Sequence, residues 1–249
     1  MRGFKGNKTL LPLMPGPSPF EGEYPILLHI IKSLPPGPKA VVVHHMKEEV
    51  MESTSSLGLT YCDQPVLNGT GGALLATREF MERQDCDYLL ITMGDVPLVK
   101  PSTFQSLLDV LKDYHMAVLG FRPRDKKEYG ILEIRDTEVR RIIEWKYWRQ
   151  YAEDVQERLN VCNSGIYAAR RPALIRFMDM LQKSPHRVLK ERDQGIMELE
   201  EFFITDLVEL MNMKGLKIGY VVAGDEDELT GVDNLESLIK VQEKFRQIP

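Results

Sequence analysis

Tyr88-Leu89-Leu90-Ile91-Thr92-Met93-Gly94-Asp95-Val96-Pro97 is the stretch from which the rest of the chain can be read. Tyr88 to Met93 is nearly continuous in its apolar character, too short for a helix and without the alternation of a half-wet strand. Such a run fits a strand covered on both faces, and the turn residues Gly94, Asp95 and Pro97 end it at once. Strands of that kind need helices above and below them, and the flanking sequence supplies these. Upstream, Ala40 to His45 and Thr60 to Cys62 read as strands. Pro25 to Ile31, Lys47 to about Leu57, and Ala73 to Met81 read as helices. Downstream, Ser102 is placed to N-cap a helix that runs to Tyr114, and Met116 to Phe121 is a further buried strand.

This alternation predicts an α/β fold, a Rossmann-like mixed and mostly parallel sheet flanked by helices. The second half is less regular. Gly130 to Ile134 and Val139 to Glu144 alternate like an antiparallel hairpin covering one end of the sheet, and Trp145 to Leu159 reads as a charged, aromatic lid or linker. Ser164 to Ala169 and Lys217 to Val222 are strands, and helices span Pro172 to Lys183, Phe203 to Lys214 and Leu235 to Arg246. No linker or repeat interrupts residues 1–249, so the reading is a single domain.

Composition narrows the function. With 43% apolar residues among 249 the chain can bury a full core, and 32 basic against 37 acidic residues, well mixed, exclude a basic face for nucleic acid. No run reaches the roughly 20 apolar residues of a membrane span, and the start lacks the apolar stretch of a signal peptide. Cys62, Cys86 and Cys162 have neither disulfide-framework nor zinc spacing, which suits a reducing cytoplasm. The expected partner is a small molecule, and a homo-oligomer is compatible with the sequence.

Three places can carry chemistry. Asp95 stands at the carboxyl end of a buried strand, where open α/β sheets bind ligands and where a carboxylate can hold a divalent cation beside phosphates. The plain alternative is a turn-capping Asp. Asn68-Gly69-Thr70-Gly71-Gly72 opens a helix and can present backbone N–H groups to an anion or a flat base, or can simply be a turn; it lacks the ending of a P-loop. Lys8 lies in a polar turn, available to a phosphate or to solvent. Asp225, Glu226, Asp227 and Glu228 read as a solvated acidic loop, and Asp233 as either the cap of the last helix or a second metal ligand. The five histidines show no ligand spacing.

In this order the motifs resemble those of the sugar-1-phosphate nucleotidyltransferases, nearest the uridyltransferase (N-terminal) domain of bacterial N-acetylglucosamine-1-phosphate uridyltransferases. The resemblance runs from about Lys8 to the C-terminus. Lys8 matches the phosphate-binding Lys. Gln64 with Gly69 and Thr70 matches the residues that read the uracil edge, and Met93-Gly94-Asp95 matches the nucleotide and metal motif. Gly130 after Tyr129, Glu144 after Ile143, Asn163 in Asn163-Ser164-Gly165 and Thr205 in Phe203-Ile204-Thr205-Asp206 match sugar contacts. Asp233 in Gly231-Val232-Asp233-Asn234 matches the second metal ligand, where the relatives carry Asn.

The resemblance implies transfer from UTP to a sugar 1-phosphate with Mg²⁺ as cofactor, giving a UDP-sugar, UDP-N-acetylglucosamine foremost, and pyrophosphate. Residues 1–125 would form the nucleotide half and 126–249 the sugar half. Lys8 and Arg2, which lies six residues earlier, would serve the phosphates. Three departures stand out. The first strand with its Gly-rich phosphate loop is missing, Ile131 replaces an Arg, and Trp145 follows Glu144. The expectation is a start placed too late by ~10–20 residues, because losing a central strand leaves its two neighbours with unpaired backbone. The alternatives are another sugar-1-phosphate uridylyl- or thymidylyltransferase, or a non-catalytic nucleotide-sugar-binding protein.

Overall fold

The computed structural model describes residues 4–192 and 195–248. A 3-10 turn, Lys8–Leu10, leads to the antiparallel pair β1 (Pro12–Pro15) and β2 (Gly22–Pro25). α1 (Ile26–Ser33) buries Ile26, Leu27, Ile30 and Ile31, one apolar stripe at helical spacing, and Leu34-Pro35-Pro36-Gly37 follows it. β3 (Ala40–Val43), α2 (Lys47–Ser53) and β4 (Thr60–Asp63) come next, with β3 and β4 parallel. The helix expected over Ala73 to Met81 is two, α3 (Gly69–Ala76) and α4 (Arg78–Glu82). They part at Thr77, whose hydroxyl donates back to the Leu74 carbonyl at 2.7 Å.

β5 (Tyr88–Ile91) precedes α5 (Pro101–Val110), and here Ser102 is not the cap. Pro101 takes the first turn, where its missing N–H costs nothing, and Lys100 stands at the cap position without a side-chain bond to the helix N–H groups. β6 (Met116–Phe121) is buried throughout. The hairpin β7 (Ile131–Arg135) and β8 (Glu138–Ile143) leads to the short helices α6 (Trp145–Trp148) and α7 (Glu153–Arg158). β9 (Cys162–Arg170), α8 (Arg171–Gln182), a hairpin of β10 (His186–Arg192) and β11 (Gly195–Glu201), α9 (Asp206–Met213), β12 (Ile218–Val222) and α10 (Leu235–Phe245) complete the chain.

The main sheet has the order β12-β6-β9-β7-β8, with β5 also on β9. It is mixed, with a larger antiparallel share than the alternation suggests. β9 is antiparallel to both β5 and β6, so those two strands still run in one direction, and β12 is parallel to β6. β3 pairs only with β4 and β5 only with β9, so among the described residues no strand joins the β3–β4 pair to the main sheet.

Alternate residues of β6 explain its unbroken apolar run. Met116 and Val118 pack with Tyr167 and with Phe177, Leu181, Leu207 and Met211 of α8 and α9. Ala117, Leu119 and Phe121 pack with Phe104, Leu107 and Leu111 on the α5 side. A third cluster of Leu11, Leu13, Ile26, Ile30, Leu98, Val232, Leu238 and Val241 binds the start of the chain, the segment after β5 and α10 into one body.

Candidate active site

That third cluster brings three charged side chains together. The turn carrying Lys8 is held by Asn7, whose Oδ1 accepts from Thr9 N at 3.0 Å and Thr9 Oγ1 at 2.8 Å, while its Nδ2 donates to the His45 carbonyl at 3.0 Å. Asp95 comes after β5, separated from it by Thr92, Met93 and Gly94. A Cβ at Gly94 would lie 3.3 Å from Thr9 Cγ2, so the small residue lets the turn approach the strand end closely. The Lys8 ammonium is ion-paired with Asp95 and lies 3.0 Å from Asp233 Oδ1. Val232 N–H donates to the Asp95 carbonyl at 2.9 Å, which fixes the two carboxylate segments against each other.

Asp233 does not cap the last helix. Asn234 does, accepting from Ser237 N at 2.9 Å in a reciprocal box with the Ser237 hydroxyl, and so the Asp233 carboxylate is released to the centre. Burial works to lower the Lys8 pKa, but the hydrogen bonds and charges of Asp95 and Asp233 outweigh it and hold the ammonium above its ordinary value. Tyr129 is pushed up, first by burial and then by the negative charge of Asp233.

A second group adjoins the first through Met93, whose Cγ would lie 3.3 Å from a Cβ at Gly165. Gly165 N donates to Asn163 Oδ1 at 3.1 Å, Asn163 Nδ2 to the Tyr167 hydroxyl at 2.9 Å, and Asn163 N to the Gly130 carbonyl at 2.7 Å. A Cβ at Gly130 would sit 3.6 Å from the Glu144 carboxylate, which accepts from Thr205 Oγ1 at 3.2 Å. Thr70 Oγ1 accepts from Ile204 N at 3.2 Å, which ties the glycine run to the same segment as Thr205. Gln64 is buried, and its Nε2 donates to Asn68 Oδ1 at 2.9 Å and the Gly69 carbonyl at 3.2 Å.

The glycines of the run lie inside α3 and are needed for packing. Gly69 has φ +90°, a Cβ there would run into the Phe202 carbonyl oxygen, and Gly71 N already donates to that oxygen at 2.8 Å. The Gly71 N–H is therefore committed rather than presented to an anion.

Arg2 lies outside the described residues. The acidic loop is solvated at Asp225, as expected, but not at Asp227 and Glu228. Glu228 is 6% exposed at its side chain, and Asp227 is held by Lys240 and Lys244 of α10. Sequence reasoning also gave no role to His44, whose Nδ1 is 2.7 Å from the Gln64 carbonyl oxygen, or to Asn7. Only the Asn7-x-Thr9 spacing of a local side-chain turn could have signalled the latter. Ile131, where the resemblance expects an Arg, is fully buried in the cluster on the α5 side of the sheet. Among the described residues no three or more His, Cys, Asp and Glu side chains gather as a metal cluster. Two carboxylates converging on one cation nonetheless suit Mg²⁺, which takes one or two carboxylates and completes its shell with water and phosphate oxygens.

Residues 2–193 match the MobA-like NTP transferase domain family. The chain belongs to that family. The bifunctional protein GlmU of Wolbachia pipientis wMel is 31% identical over 230 residues, which are 91% of this chain and 49% of the relative. GlmU of Cereibacter sphaeroides is 27% identical over 231 residues. The chain thus spans about half the length of the curated relatives it matches. Among solved structures, the nucleoside-diphosphate-sugar pyrophosphorylase of Vibrio cholerae RC9 superposes with a TM-score of 0.66 at 16% identity, covering 97% of this chain and 93% of that one. A nucleotidyl transferase from Methanothermobacter gives 0.60 at 18% identity over 97% and 86%. At these identities the structural likeness establishes the mixed α/β fold, and the motif resemblance is matched by the names of the sequence relatives. No described helix is long and apolar enough to cross a membrane.

Proposed function

We propose that this nucleotidyltransferase-family chain joins a sugar 1-phosphate to UTP, with UDP-N-acetylglucosamine as the foremost product. An oxygen of the sugar 1-phosphate attacks the α-phosphorus of UTP, the new P–O bond forms as the bond to the bridging oxygen breaks, and pyrophosphate leaves. The observation that carries this reading is the meeting of Lys8, Asp95 and Asp233 beside the linked group Gly130, Asn163, Glu144 and Thr205.

Both reactants are anionic, so the task is alignment and charge neutralisation rather than covalent catalysis. Lys8 neutralises phosphate, with Arg2 as a second cation. Asp95 and Asp233 would hold Mg²⁺, which when bound screens the phosphate charge and polarises the phosphorus being attacked. Gln64, Gly69 and Thr70 read the base, with Met93 and Gly94 beneath the nucleotide. Gly130, Glu144, Asn163 and Thr205 take the sugar hydroxyls. Residues 1–125 supply most of the nucleotide side and 126–249 the sugar side, with Asp233 crossing over. A cytoplasmic setting follows from these substrates.

The test is pyrophosphate release by the full chain with Mg²⁺, each nucleoside triphosphate in turn and a panel of sugar 1-phosphates. Release with UTP and N-acetylglucosamine 1-phosphate above all other pairs supports the reading. Preference for another base or sugar replaces the named product, and tight UDP-sugar binding without release replaces the enzyme with a binding protein.

A further inference from the structure

Glu228 is the one buried carboxylate of the acidic loop, and the transfer just described gives it nothing to do. Its side chain is 6% exposed. Oε2 accepts from Lys100 N at 3.3 Å and from Thr103 Oγ1 at 2.7 Å, and Oε1 accepts from Lys100 Nζ at 2.9 Å. All three donors belong to the first turn of α5 and the residue before it, where Lys100 brings no side-chain cap of its own. Glu228 therefore caps α5 from another part of the chain, and a carboxylate favours that end of a helix.

The two elements it joins are those that carry the paired carboxylates. α5 follows Asp95 through Val96, Pro97, Leu98 and Val99, all buried, so its start and Asp95 move as one piece. Glu228 precedes Asp233 through buried Leu229 and Val232, and Val232 N returns to the Asp95 carbonyl. The Asp233 side chain itself is 74% exposed, so its surroundings confine it little. Its backbone is held downstream, where Asp233 N donates to Ser237 Oγ at 3.0 Å, and upstream by two pins, one at Val232 and one at Glu228. An apolar residue could fill the volume of Glu228. Three donors converging in fixed directions set the register of the turn in a way that apolar contact does not.

We infer that Glu228 is a positioning residue, which holds Asp233 in register with Asp95 for binding a divalent cation together with nucleotide. The inference rests on the nucleotidyl-transfer reading above.

The experiment is Mn²⁺ titration of the full chain by electron paramagnetic resonance in the presence of UTP, with thermal midpoints recorded alongside. Glu228→Gln and Thr103→Val should each weaken Mn²⁺ binding, Glu228→Gln by about tenfold. In an Asp233→Ala background Glu228→Gln should cost nothing more, because the residue acts through Asp233. A residue serving only general stability would lower the thermal midpoint equally in both backgrounds and leave Mn²⁺ affinity unchanged. Should Glu228→Gln fail to fold, Thr103→Val and Lys100→Met remove single donors and carry the same cycle. Undiminished Mn²⁺ binding by these variants, or an equal loss in the Asp233→Ala background, overturns the positioning role alone. Absence of Mn²⁺ binding by the unaltered chain with UTP overturns the transfer reading and this inference with it.

Discussion

Lys8 and Asp233 meet at 3.0 Å although 225 positions separate them in the chain. The contact draws the Lys8–Leu10 turn and the start of the last helix onto the end of β5. The proposed phosphate and metal residues are thus gathered from three distant segments, and each can be tested separately.

Asp95→Ala should lower turnover by ~10²-fold or more, because the carboxylate acts where charge is moved in the transition state. The fold should survive, since Asp95 binds Val232 through its backbone carbonyl, which the substitution keeps. Pyrophosphate release and circular dichroism of the same sample check both halves. Ordinary turnover would remove Asp95 from the proposed site.

Lys8→Met should leave Asp95 and Asp233 close together without their shared counter-charge. Lys8 is 39% exposed at its side chain, so the loss in stability should stay below about 1 kcal/mol. Thermal denaturation with and without Mg²⁺ measures it, and added Mg²⁺ should restore more stability to the variant than to the parent.

Gly69→Ala combines a positive φ with a collision against the Phe202 carbonyl, a backbone atom that cannot swing aside. The expected cost is about 2 kcal/mol or more, which in a chain of this size lowers the midpoint by roughly 4–8 °C. A midpoint within one degree of the parent would show that the packing of α3 on Phe202 is looser than described.

Acid should weaken the join between the loop and α10. Lys240 and then Lys244 hold the Asp227 carboxyl below the usual carboxylate range. A depressed folded-state pKa contributes stability above the unfolded value of about 3.9, and that contribution disappears as pH falls through the lower folded value. Asp227→Asn should therefore destabilise at neutral pH by below about 1 kcal/mol and flatten the stability profile below pH ~4. Urea titrations at several pH values give the comparison.

The three cysteines should differ in reactivity. Burial pushes the Cys162 thiol up to about 11, against the lowering effect of Lys126, and burial also raises Cys62. Cys86 is the only one not buried. A thiol-specific dye at pH 8 should label one cysteine quickly in the native protein and all three in urea.

Much of the fold could be read from the sequence because its strands are short, apolar and bounded by turn residues, as β5 with Gly94-Asp95-Val96-Pro97 is. The β10–β11 hairpin could not be read, since a strand such as His186-Arg187-Val188-Leu189-Lys190-Glu191-Arg192 has no clean alternation of apolar and polar residues. Strand direction was also hidden. Nothing in the composition of Cys162–Arg170 says that it enters antiparallel between two parallel neighbours. In the site, Asp95 was visible from its strand, whereas the freedom of Asp233 depends on Asn234 and Ser237 taking the cap. The burial of Glu228 depends on a helix start more than a hundred residues away, and a run of four acidic residues conceals it.

The central position of β9 has a consequence for modularity. A strand from the latter half of the chain separates β5 from β6, both from the first half, so no cut near residue 125 yields two closed sheets. The two halves cannot be exchanged between relatives like beads on a string. A chimera that swaps acceptor preference has to bring β9 along with the loops around it, and a gene fragment ending before residue 162 encodes a sheet with its middle strand left out.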